Sequence, residues 1–250
     1  MKTFTITAAS WKEYRDKLAK ISDTAADMMQ KYVLENGFEI NQEMIDYAYA
    51  LSTKYGEAAG ALTADYYDSM REYWNAIEHG NTPWKAAEVA DTATRIEVMR
   101  AISAATEATA PGAVHKLVKQ VSADTVAKNA IRDGAEWAWI PGPGETCAFC
   151  LTLASRGWQR ASKKMLKNGH VEHIHGNCRC TFGVRFSSQM DVEGYAPDRY
   201  LEKYENADGS SWKAKVNSMR REQYAQNKDV INAQKREAYA RRVEINQGDK

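Results

Sequence analysis

The stretch His173-Ile-His-Gly-Asn-Cys-Arg-Cys180 carries two histidines and two cysteines in eight residues, and Cys147-Ala-Phe-Cys150 lies upstream of it. These are all four cysteines of a 250-residue chain. Thiolate and imidazole are preferred donors for zinc, and a C-x2-C turn lets two thiolates share one tetrahedral ion. Cys178 and Cys180 are two apart, so on an extended chain both point to one face and could reach the same metal. His175, three residues before Cys178, is a fifth donor. The candidate ligands are therefore Cys147, Cys150, His175, Cys178 and Cys180, for four places. Cys147, Cys150 and one of the Cys178/Cys180 pair come first, and the fourth place falls to the other member or to His175. His170 and His173 are less essential. Four protein ligands leave no position for water, which makes the expected site structural rather than catalytic. Thiols without metal, reduced or disulfide-bonded, and a catalytic ion are the alternatives.

His170-Val-Glu172 has the H-x-E pattern of zinc deaminases, in which the Glu shuttles the proton. Two features oppose that chemistry. The C-x2-C element comes first here, the reverse of the deaminase order. Pro143 also does not abut Cys147, because Gly144, Glu145 and Thr146 intervene.

Elements that must position this cluster are legible on either side of it. Ser10 and Glu13 fit a capping box, after which Trp11, Tyr14, Leu18, Ile21, Ala25, Met28 and Tyr32 recur on one helix face. Asn36-Gly37 predicts its end. A second helix can start at Asn41, with Met44, Tyr47, Leu51, Tyr55, Ala58, Leu62, Tyr66, Tyr73 and Ile77 on one side, and runs roughly 55 Å if unbroken. Gly56 and Gly60 mark a kink or a close crossing. Thr82 and Pro83 predict the start of a third helix, from Trp84 to about Thr109, closed by Pro111-Gly112. One or two shorter helices fill Val114 to Arg132, with Gly134 as the stop. Then the texture changes. The apolar run within Ala135–Ile140, the stretch Arg156–Ser162 and the alternating Cys180–Phe186 predict a small sheet of two to four strands. The fold class expected is mainly α with a small α+β zinc-knuckle module, divided into a helical region 1–134, a Cys/His module 135–190, and a polar linker with a basic C-terminal helix, 191–250.

Composition narrows the function classes. Net charge is +1, with 44% hydrophobic and 27% charged residues, so no global charge dictates a partner. No run approaches ~18 apolar residues, and Met1–Tyr14 lacks a signal-peptide core. The expected compartment is a reducing cytoplasm, where clustered cysteines serve as metal ligands more often than as disulfides. The seven tryptophans and thirteen tyrosines read as core, and the acids of the N-terminal helices as solvated faces. His79 and His115 read as isolated turn or surface residues. Gly142 and Gly144 are not followed by Gly-Lys-Ser/Thr, so they read as a turn positioning the knuckle rather than a phosphate loop. In the tail, Arg221, Lys228, Lys235 and Arg242 recur every seven residues, and Tyr224, Ile231, Ala238 and Ile245 do so with an offset of three. From Trp212 to Arg242 there are nine Lys or Arg against three acids. The apolar stripe is expected to dock, and the basic stripe to face solvent, DNA or an acidic patch.

Trp137–Trp158 followed by His173–Phe186 resembles the signature of tailed-phage minor capsid proteins, the Mu F-like head-morphogenesis group. Leu153-Ala-Ser-Arg-Gly157 and His175-Gly-Asn-Cys-Arg-Cys180 match its central elements. The resemblance is specific over about residues 136–186 and looser in the helices before them. It implies a virion component present in few copies, assembled in the host cytoplasm with portal and capsid proteins and without a membrane. Some such proteins carry a fused protease or toxin domain, and no G-x-S-x-G occurs here. The function expected is a portal-associated structural protein with structural Zn2+ and no enzymatic activity. A DNA-binding zinc-knuckle module, using the basic C-terminal helix, is the alternative, and a zinc-dependent hydrolase or deaminase is the least favoured.

Overall fold

Thr7, not Ser10, opens the first long helix. In the computed structural model, which describes residues 4–78, 83–143, 146–162, 174–176 and 178–248, strand β1 (Phe4–Ile6) runs directly into α1 (Ala8–Asn36). The Thr7 side chain accepts from Ser10 N at 3.3 Å, so Ser10 lies inside the first turn rather than capping it. The buried face of α1 is Trp11, Tyr14, Leu18, Ser22, Ala25, Met29 and Val33. It departs by one residue from the stripe through Ile21, Met28 and Tyr32, because a 3.6-residue turn drifts away from any fixed step.

Asn41 caps α2 (Gln42–Ile77), its side chain accepting from Met44 N at 2.9 Å. This helix is continuous over 36 residues. Its buried face is built from small side chains as well as aromatics: Ala48, Gly56, Ala59, Gly60 and Thr63 are buried, whereas Tyr73 is exposed. Gly56 and Gly60 mark a close crossing. A Cβ on Gly56 would lie 3.0 Å from Val121, and one on Gly60 would lie 2.4 Å from Val89 and 3.1 Å from Val121.

The third helix departs most from expectation. Thr82 lies outside the described residues. Residues 83–94 form neither helix nor strand, and α3 is confined to Arg95–Ser103, started by a capping box between Thr94 and Glu97. Pro111-Gly112 opens the next helix instead of closing this one, because Pro is tolerated where the N–H has no helical partner. The result is a single α4 (Ala110–Asp133), ended by Gly134 at φ 66°. Side chains of α2 and α4 account for the extended 83–94 segment. Asp68 accepts from Ala87 N, Asn129 accepts from Glu88 N and donates to Glu88 O, and Thr125 accepts from Ala90 N, all at 2.8–3.0 Å. Arg132 donates to the carbonyls of Lys85 and Ala86 at 2.9 Å. Backbone groups satisfied in this way are lost to a helical ladder.

Helices α1, α2 and α4 pack together and share a buried polar junction, where Tyr14 Oη lies 3.1 Å from Thr63 Oγ1 and 3.3 Å from Ser122 Oγ. Against α4 lies an antiparallel sheet of order β3-β2-β4, made of β2 (Glu136–Ile140), β3 (Gln159–Arg160) and β4 (Thr181–Arg185). Trp137 faces Val184, Trp139 faces Phe182, and Arg185 pairs with Glu136 at 2.6 Å. Both faces of β4 are buried from Thr181 to Val184, so its alternation does not mark a solvent side. A second sheet was not legible: β1 pairs in parallel with β5 (Met190–Val192). All of this belongs to one compact unit, residues 1–143 with 156–196.

The other unit is residues 144–155 with 197–250. It contains α5 (Ala148–Ala154), α6 (Pro197–Glu205) and α7 (Trp212–Gly248). Its small core is Ala148, Leu151, Val216 and Met219, flanked by Tyr200, Tyr204 and Ala207. Of the α7 stripe expected to dock, Tyr224 is exposed, and the side chains of Ile231, Ala238 and Ile245 lie outside the described residues; Val216, Met219, Gln223 and Asn227 form the buried or half-buried seam. Contact with a seven-residue α5 needs only two apolar turns, and the seam continues through polar residues. The larger unit joins the long helices and the sheet, and the smaller one holds the first cysteine pair with the C-terminal helices.

Asn129→Ala removes two hydrogen bonds to Glu88 at once. It should cost about 1–3 kcal/mol of unfolding free energy and make residues 83–94 the first site of cleavage in limited proteolysis. Unchanged urea melts and an unchanged cleavage pattern would count against the account of this segment.

Candidate metal centre

Each cysteine pair is positioned within its own unit. The four thiols are not disulfide-bonded, and Cys150, Cys178 and Cys180 are buried. Cys147 occupies the N-cap position of α5, where its sulfur accepts from Cys150 N at 3.4 Å. On either side of Cys147 the backbone is held by Gln223 of α7. Gln223 Nε2 donates to Thr146 O at 2.7 Å, and its Oε1 accepts from Ala148 N at 3.0 Å.

The second pair lies beside α4. Lys119 is 5% exposed, and its ammonium donates to the carbonyls of Cys178 at 2.6 Å and Cys180 at 2.5 Å. Between them, Arg179 reaches Asp23 of α1 at 2.5 Å. The Arg179 carbonyl presses on Gly142, where a Cβ would lie 2.3 Å from that oxygen. Gly142 is thus required by close approach to the backbone between the two cysteines. His175 is exposed, and its Nδ1 lies 3.0 Å from Gly176 O. Gly176 in turn abuts Gly112 at the start of α4, where its Cβ would lie 3.0 Å from Gly112 Cα. His170, Glu172 and His173 lie outside the described residues, and with them the H-x-E element.

Cys147 and Cys150 lie in the smaller unit, and His175, Cys178 and Cys180 in the larger, each set offering donors of the kind that hold a metal ion. The donor set fits zinc: thiols outside disulfides, with imidazole beside them and an N–H already directed at one sulfur.

Sequence reasoning missed three neighbours of the second pair: His115, Lys119 and Asp23. His115 is neither a turn nor a surface residue, being only 1% exposed. Its Nε2 lies 3.5 Å from Asp23 Oδ1. Burial, reinforced by the Lys119 and Arg179 charges and opposed by Asp23, lowers its pKa from 6.5 to about 4. A signal for Lys119 and His115 did exist: both interrupt the apolar pattern of α4 one turn apart.

The chain matches the model of the VG15 protein family over residues 5–207. No curated protein and no solved structure matches it. Among the described residues no helix is long and apolar enough to cross a membrane.

His115 stays neutral in the fold but takes a proton in the unfolded chain below its ordinary pKa. The associated stability is therefore full above about pH 6.5 and declines as pH falls toward 4. By pH 4.5 the wild type should lose about 2–3 kcal/mol more than His115→Gln, measured by urea denaturation of both at pH 7 and 4.5. Parallel losses in the two proteins would exclude His115 as the source.

Proposed function

The chain belongs to the VG15 protein family, a viral family of phage proteins, and on that premise we propose that it is a minor structural protein of the phage head. The match over residues 5–207 is the observation that carries this reading. The resemblance of Trp137–Phe186 to Mu F-like head-morphogenesis proteins supports the finer assignment, in which the protein associates with portal and capsid during assembly in the host cytoplasm and remains in the virion. We assign it no enzymatic turnover. If it is a head component, antibody to the chain should detect it in gradient-purified virions, and the full chain should retain the portal protein in a pull-down from an induced lysate. Its absence from virions would overturn the reading.

The types and sequence spacing of the five donors support one structural Zn2+ held by Cys147, Cys150, Cys178 and Cys180, with His175 as the alternative fourth ligand. When bound, the ion supplies a covalent staple rather than chemistry, since four protein ligands leave no open position. The purified protein should then carry about one zinc per chain by elemental analysis. Cys147→Ser should weaken zinc by more than ~100-fold, because loss of a ligand exceeds the usual effect of losing a group behind one. The α1–α2–α4 helices, whose core is independent of these cysteines, should keep their helical circular dichroism. Zinc-free protein from zinc-replete medium would remove the metal from the proposal.

A second reading, DNA contact, is favoured by α7, on which Lys213, Arg220, Arg221, Lys228 and Arg236 are exposed. Duplex binding through this helix should weaken by roughly 0.9 log units per phosphate contact for each tenfold rise in salt. Replacing Arg220, Arg221 and Lys228 by Glu should abolish it. An unchanged affinity in that variant would place any DNA contact elsewhere.

A further inference from the structure

The zinc reading requires each cysteine pair to present its sulfurs in a fixed direction, and each pair has one long polar side chain bonded to the backbone at it or directly beside it. We propose that Lys119 and Gln223 are the positioning residues of the zinc site, each acting through the main chain of the cysteines rather than through their sulfurs. The proposal rests on the metal reading.

Lys119 is an unusual choice for its place. It is buried, and its ammonium donates to two backbone carbonyls of the cysteine pair, at 2.6 and 2.5 Å. A methionine would fill the same volume but could make neither bond. Two effects follow when zinc is bound. Bonding the carbonyls of residues 178 and 180 together holds the segment extended, which directs both sulfurs to one side. The ammonium also offsets the net negative charge of an ion ringed by thiolates, an effect strengthened away from water. Arg179 is anchored independently, by Asp23 and by the approach of Gly142, so Lys119 is left to set the two cysteines themselves.

Gln223 does the equivalent for the first pair. Its amide donates to Thr146 O and accepts from Ala148 N, spanning Cys147 from both sides and fixing the residue at the N-cap of α5. It belongs to α7, so the C-terminal helix carries a determinant of the knuckle that neither its charge pattern nor its apolar stripe predicts.

The test uses the full chain with zinc and with cobalt as a spectroscopic substitute. Lys119→Met and Gln223→Met preserve length and remove the polar end. Each should weaken zinc, measured by chelator competition, roughly 10–100-fold, the usual effect of removing a group that orients a ligand. Each should also reduce the thiolate-to-cobalt absorption. Lys119→Arg, which keeps charge and several donors, should stay within about threefold of the wild type. Should Lys119→Met fail to fold, Gln223→Met, on a half-buried seam, still decides the first pair and Lys119→Arg the second. Wild-type zinc affinity and cobalt spectra in both methionine variants, even with lowered melting temperatures, would overturn the proposal while leaving the metal reading intact. A wild type that binds no zinc would overturn both.

Discussion

A helix buried on most of its circumference must either find partners for the polar groups it carries or bear the cost of leaving them unmet, and α4 is such a helix. His115, Lys119, Ser122, Thr125 and Asn129 are all buried along it, with Arg132 continuing the series at its end. Leaving one unsatisfied costs as much as a lost core contact. His115 bears that cost, since neither ring nitrogen has a hydrogen-bond partner among the described residues, and the others are each spent on a different piece of irregular or neighbouring chain. Lys119 holds the second cysteine pair, Ser122 joins Tyr14 and Thr63, and Thr125, Asn129 and Arg132 hold residues 83–94. The apolar side chains between them, Val114, Val118, Val121 and Val126, pack the same helix into the bundle. The non-helical parts of the larger unit take their courses from this row of side chains.

Much of this was legible in the sequence where local chemistry decides it. Asn41, Gly37 and Gly134 end or begin helices as their types predict, and Glu136–Ile140 and Thr181–Arg185 are strands. What local chemistry does not decide was misread. Residues 83–94 have acceptable helix propensity and a good start signal, yet their backbone is claimed by side chains from residues 68, 125, 129 and 132. Pro111-Gly112 suits either end of a helix, and only the approach of Gly176 shows why the start is used. The aromatic stripe of α2 proved a poor guide to its contact face because the closest packing is made by glycine and alanine, which carry no hydrophobic periodicity. The cysteine pairs were evident from type and spacing alone, whereas Lys119 and Gln223 were not, since each acts across a long sequence separation.

The two units alternate along the chain. Residues 144–155 leave the larger unit, join the C-terminal helices, and the chain then returns for residues 156–196. Removing α7 therefore does more than delete a charged tail. It takes Val216 and Met219 from the core around α5 and Gln223 from the flanks of Cys147. Charge substitutions on the exposed face separate electrostatics from packing where a truncation cannot.

The pairing of β1 with β5 sets an order of events during synthesis. Ile6 lies opposite Val192, so β1 must wait for a strand made much later in synthesis. At ~5–20 residues per second, the interval is on the order of ten seconds or more. Helices α1, α2 and α4, whose contacts lie closer in sequence, can form a bundle during that wait, with a β-competent segment still open at its head. The nascent chain thus passes through a stage in which β1 offers an unmatched edge, and the arrival of Met190–Val192 brings that exposure to an end.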